Sequence, residues 1–200
     1  MRDRIPRRGW GIFIFFALAT LYGTRAQTDS APDIRVLMEQ LNDVRTVRAD
    51  TVKQILEIAG KDSRAREYVV QRLPDLIGRP KSDVWLDAIR LAGKLKAKEA
   101  IPALQQAMSR HPVAAEPYLT FAGIARLDND IVAKALSQIG DPAIPAATSL
   151  LRSEDAGMRY RATLILKNIG SRGAREALQD RLSHEPDPEV KKLIRDSLRP

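Results

Sequence analysis

Within residues 130–198 one pattern of apolar, small and turn residues occurs, recurs 31 positions later and starts a third time. The first copy carries Ile131, Val132, Ala133, Ala135, Leu136 and Ile139. A Gly140-Asp141-Pro142 break follows, then Ala143, Ile144, Pro145, Ala146, Ala147, Leu150 and Leu151. The second carries Ala162, Leu164, Ile165, Leu166 and Ile169, then Gly170, then Ala174, Ala177, Leu178 and Leu182. The third begins at Pro188 and places Val190, Ile194 and Leu198 on one side. Apolar residues every three or four positions make one face of an α-helix, so each copy reads as two helices joined by a turn. Such a unit cannot cover its own apolar stripe, and stacking on a neighbour is what buries it. The chain is thereby restricted to a repeated helical architecture.

The register extends backwards. Ala100, Ala143 and Ala174 align, as do Leu104, Ala147 and Leu178, and Met108, Leu151 and Leu182. From Ala100 to Ala143 is 43 positions, against 31 for the next step, so one repeat is enlarged within residues 112–130. Tyr118, Leu119, Phe121, Ala122, Ile124 and Leu127 in that stretch predict an extra helix or insertion over 113–128. Further upstream, Asp33 caps a helix over 34–41, and Asp50 or Thr51 starts one that Gly60 stops. A third helix over 64–76 is bent by Pro74 and ended by Gly78. Asp83 caps 84–91, with Trp85, Leu86, Ile89 and Ala92 inward and Gly93 as the stop. Gly140 and Gly170 are suited to a left-handed turn after a helix.

Composition matters at the first 26 residues. Arg2, Arg4, Arg7 and Arg8 precede an apolar run over 12–21, and Thr24-Arg25-Ala26 follows. This is the anatomy of a secretory signal peptide cut before Gln27. The run falls short of the ~20 residues a spanning helix needs. The expected location is therefore periplasmic or extracellular, with anchoring in the inner membrane through an uncleaved leader as the alternative and no stable span after cleavage. Residues 27–32 read as a disordered join and 33–200 as the repeat domain. The net charge is +8, but five Arg against one acid lie in the leader, leaving 28 basic and 24 acidic residues beyond it. That is an ordinary mixed surface, and it does not point to nucleic acid. Cysteine is absent, which excludes disulfides and thiolate metal sites.

Leu136, Ile139, Gly140, Asp141, Pro142 and the run from Ala143 to Ala146 resemble the HEAT repeat of the phycobilisome-lyase-like variety. Ala100, Ile101, Pro102, Ala103 and Leu104 match it again, and Ile169, Gly170, Ala174, Ala177 and Leu178 match a third time. Glu176 stands where that variety has proline. Ser153-Glu154-Asp155 and His184-Glu185-Pro186 resemble its acidic turns. The resemblance implies an all-α α-solenoid of about four helix pairs with a terminal capping helix, first helices on one face and second helices on the other. Lyase activity is not implied, since the repeat serves unrelated tasks.

No catalytic, metal or cofactor constellation is legible. His111 and His184 belong to separate repeats, too far apart for one metal with its ~2 Å bonds. Glu154 and Asp155 read as capping and solvated residues. Arg159, Arg161, Lys167, Arg172, Arg175, Arg181, Lys191, Lys192 and Arg195 bias the C-terminal half towards positive charge and read as a solvated surface. The expected function is a non-enzymatic scaffold that presents its second helices to an unidentified protein partner of acidic character. Lys98, Gln105, Gln106, Arg152, Arg175, Gln179 and Arg181 are the candidate contacts. The alternative is a tetrapyrrole-binding enzyme or enzyme subunit related to the bilin lyases.

Overall fold

A computed structural model describes residues 33–41, 48–79, 84–110 and 130–199. The leader and join (1–32) and the expected insertion (113–128) lie outside the described residues, as do Asp83 and His111. Residues 33–200 form a compact unit of their own.

The helices of this unit are α1 (Ile34–Leu41), α2 (Arg48–Lys61), α3 (Ser63–Ile77), α4 (Trp85–Lys94), α5 (Ile101–Arg110), α6 (Ile131–Ile139), α7 (Ile144–Leu150), α8 (Ala156–Ile169), α9 (Arg172–Leu182) and α10 (Pro188–Leu198). No strand occurs among the described residues. Even-numbered helices pack on one another in the order α2, α4, α6, α8, α10, and odd-numbered ones in the order α1, α3, α5, α7, α9. Each even helix also packs on the odd helix after it or before it. The described residues thus hold four complete pairs (α2/α3, α4/α5, α6/α7, α8/α9), flanked by α1 and α10. This is an α-solenoid, as the periodicity requires.

Local chemistry sets most of the helix starts. Asp62, Asp130, Asp155, Ser171 and Asp187 each accept backbone N–H bonds at the head of α3, α6, α8, α9 and α10. Asp33 does the same for α1, accepting from Arg35 N at 2.9 Å. Each side chain satisfies a donor that the helix itself cannot. Pro102 and Pro145 sit in the first turns of α5 and α7, where the missing N–H breaks no helical bond. Short 3-10 turns, Lys98–Ala100 and Asp141–Ala143, lead into both helices. Gly140 and Gly170 have φ of +86° and +66°, the region that a side chain makes costly.

One continuous core runs from Leu37 to Ile194. Leu136, Leu151, Ile165, Leu166 and Leu178 are buried in it, while Ile144 and Ile169 are partly buried at its edge. Trp85 packs against the same core and donates through Nε1 to Ile77 O at 3.0 Å, closing the passage from α3 to α4.

Three sequence expectations are corrected. Helix α2 begins at Arg48 and runs through Gly60 to Lys61, because Asp62, as cap of α3, marks the boundary instead. Gly93 does not stop α4; it is buried within the helix, and a Cβ there would lie 2.9 Å from Ala135 Cα. It is a packing residue, through which α4 and α6 approach closely. Leu86 does not point inward: it is 44% exposed.

Candidate functional site

The seven expected contacts on and around the second helices separate into two groups. Lys98, Gln106, Arg152, Arg175 and Gln179 are exposed. Gln105 and Arg181 are only half-buried neighbours of the core. Two of the cations already have work within the fold. Arg175 donates from Nε and Nη2 to Gly170 O, both at 3.2 Å, closing the end of α8. Arg181 donates from Nε to Glu185 Oε2 at 2.9 Å. Lys98, Gln106, Arg152 and Gln179 therefore remain as the polar, outward-facing residues of that face.

The largest correction concerns Arg159 and Arg161, expected on a solvated surface. Each is only 4% exposed. Positions two apart on a helix point about 200° away from each other, so these two reach opposite neighbours of α8. Arg161 reaches back: Nε donates to Asp130 Oδ2 at 2.5 Å, Nη2 to Oδ1 at 3.2 Å, and Nη1 to Met108 O at 3.1 Å. Asp130 Oδ1 meanwhile accepts from Ala133 N at 3.0 Å. One guanidinium thus joins the cap of α6, the last turn of α5 and α8.

Arg159 reaches forward. Nε donates to both oxygens of Glu185 at 3.1 and 3.0 Å, and Nη2 to Oε1 at 2.8 Å. Nη1 turns to Ser153 O and Glu154 O at 3.0 and 2.8 Å. Glu185 also accepts from Asp187 N at 3.0 Å. Burial by itself would raise the Glu185 carboxyl. Hydrogen bonds from Arg159, the Asp187 amide and Arg181 outweigh it and hold the group below the usual carboxylate range. The hydrogen bond to Glu185 in turn raises Arg159, against the effect of burial. These charge-assisted bonds are strong because their geometry is bidentate. They are clamps between successive pairs rather than reactive groups, since neither arginine is open to a ligand. Charge alone places both arginines on the surface; that Met158, Arg159 and the run from Arg161 to Leu166 are buried follows only from the helices on either side.

A concave feature occurs on the opposite set of helices. A groove of about 590 Å³ between α4 and α6 is lined by Leu86, Arg90, Lys94, Ile131, Lys134, Ala135 and Gln138. Arg90 is half-exposed and donates from Nη1 to Asp87 Oδ1 at 2.9 Å. None of these residues was an expected contact. Leu86 carried no usable signal, because its helical spacing also suits the core.

His184 is exposed, with Nδ1 2.9 Å from Ser183 Oγ, as expected of a surface residue. Asp155 caps α8 through a 2.8 Å bond from Gly157 N. Among the described residues, no group of three or more metal-ligating side chains occurs. No helix among them is long and apolar enough to cross a membrane.

Residues 130–199 match the family model described as HEAT repeats. The similar solved structures include two engineered proteins from the Northeast Structural Genomics Consortium. The first is 23% identical with a TM-score of 0.39; the match covers 82% of this chain and 46% of that one, so the chain spans less than half its length. The second is 20% identical with a TM-score of 0.33, covering 83% of this chain and 95% of that one. No curated protein matches. The match to HEAT repeats falls on α6 to α10, and stacked helices of the same kind continue upstream of it.

Proposed function

We propose that the chain is an exported, non-enzymatic scaffold that holds a protein partner in the cell envelope, built on the phycobilisome-lyase-like variety of HEAT repeat. The observation that carries the reading is the division of labour among its polar side chains. The buried ion pairs of Arg159 and Arg161 are spent on joining pairs, and the second helices and the turns beside them offer Lys98, Gln106, Arg152 and Gln179 outward. A row of polar groups on rigid elements suits recognition of another surface better than chemistry on a small substrate. Export is supported by Arg2, Arg4, Arg7 and Arg8 ahead of the apolar run over 12–21 and by Thr24 and Ala26 at the expected cut. Variety is supported by the Ile-Gly-Asp-Pro sequence at Ile139–Pro142 and by Pro102 and Pro145 in first turns.

The test is affinity capture with residues 27–200 from envelope extract, set beside a Gln106→Ala, Arg152→Ala, Gln179→Ala variant. A partner retained by the parent and lost by the variant is the expected result. Failure of the parent to retain any protein would overturn the scaffold. Saturable tetrapyrrole binding, read by absorbance, would overturn its non-enzymatic part. Mass measurement of the exported protein checks the leader, whose retention would contradict cleavage before Gln27.

A further inference from the structure

We infer that the groove between α4 and α6 is a binding site for a short acidic peptide segment bearing one apolar side chain. The inference rests on the scaffold reading and adds a second, chemically defined contact to it. Three of the seven lining residues, Arg90, Lys94 and Lys134, are cationic, and none is acidic. Asp87 offsets part of the Arg90 charge through its ion pair, which also fixes the guanidinium at the rim. The cationic character of the lining, with Lys94 exposed at its far end, favours an anionic occupant and steers its approach.

The apolar part of the groove has its own place. Leu86 and Ile131 stand at the N-terminal ends of α4 and α6, whereas Lys94 and Gln138 stand at or near their C-terminal ends. Leu86 is one of two large hydrophobic residues exposed among those described. An occupant therefore needs an apolar group at one end and carboxylates along the rest. Leu86, Arg90 and Lys94 follow at four-residue intervals, so they span about 12 Å of helix. That length accommodates about four residues of an extended peptide. The floor is firm, since Gly93 brings α4 against Ala135 without an intervening side chain. A site on two packed helices loses little order when filled, which favours binding by a short ligand.

The probe is a fluorescein-labelled Leu-Glu-Glu-Glu-Glu peptide, titrated with residues 27–200 and followed by fluorescence anisotropy. Saturable binding that weakens with salt is expected, and roughly tenfold or greater loss on Lys94→Glu. Leu86→Ser should weaken it several-fold, and circular dichroism confirms that both exposed substitutions leave the helices intact. The inference is overturned if the peptide does not saturate, if a Leu-Lys-Lys-Lys-Lys counterpart binds equally, or if both variants bind as the parent does. It is also overturned if inorganic polyphosphate binds the groove, with no dependence on Leu86, while the peptide does not. Capture of a partner that Leu86→Ser and Lys94→Glu retain fully would remove this groove while leaving the scaffold standing. Absence of any captured partner would remove the scaffold itself.

Discussion

Replacing Glu185 by alanine should be among the most damaging single changes near the C-terminal end of the stack. Its carboxylate accepts from Arg159, Arg181 and the Asp187 amide, and its side chain is fully buried. Glu185→Ala leaves the Arg159 guanidinium, itself 5% exposed, without its counter-charge. Removing one partner of a buried ion pair costs about 3–5 kcal/mol, mostly the penalty of the charge left behind. The five hydrogen bonds are not five separate increments, because they share two acceptor oxygens and come from two guanidinium groups and one amide. For a domain of this size the loss corresponds to a drop of about 6–20 °C in the unfolding midpoint. The cost should fall first on α10, since the clamp ties α8 to the turn that leads into it, and end units of a repeat stack open before the interior. Hydrogen exchange at Val190 and Ile194 is the direct assay. A midpoint within about 0.5 kcal/mol of the parent, with unchanged protection of α10, would refute the argument. Replacing Arg159 and Glu185 together by Met and Leu should restore much of the loss, as apolar substitutes for buried pairs often do.

The same carboxylate predicts a pH dependence. Its pKa is depressed in the folded state, so its contribution is fully present above the unfolded value of about 4.3 and disappears as pH falls through the lower folded value. Denaturation midpoints should hold steady near neutrality and decline below that point, with a shallower acid decline in Glu185→Gln. Gly93→Ala should cost about 1–3 kcal/mol, read by urea unfolding, because its Cβ would meet Ala135 Cα at 2.9 Å. Leu166→Ala should cost about 2–5 kcal/mol, also by urea unfolding, as Leu166 is fully buried in the shared core. Gly140→Ala should cost about 1–3 kcal/mol through its φ of +86°, in open space where no clash would contribute.

Periodicity, caps and prolines were local, and the sequence by itself determined what depends on them. Asp33, Asp155 and Pro145 mark helix starts through bonds made within a few residues, so Asp33 and Asp155 were legible as caps and Pro145 as a first-turn proline. The 31-residue recurrence set the stacked pairs, because an apolar stripe on each pair has no other way to leave water. Among the expected contacts, Lys98, Gln106, Arg152, Arg175 and Gln179 lie exposed, as outward helical positions between apolar ones should.

Tertiary structure decided whatever depends on the neighbouring repeat. Arg159 and Arg161 look like any surface arginine until α10 and α6 bring Glu185 and Asp130 to them, across 26 and 31 residues. Arg181 leaves the solvated surface as well, because the Glu185 it pairs with, four residues on, is itself held inward by Arg159. Gly93 looks like a helix stop until α6 is set against it, and Leu86 looks like core until the packing turns it outward. Helical spacing tells which residues share a face of one helix. Only the helices on either side determine how much of that face is covered, and so which charges become clamps and which side chains remain free to form a groove.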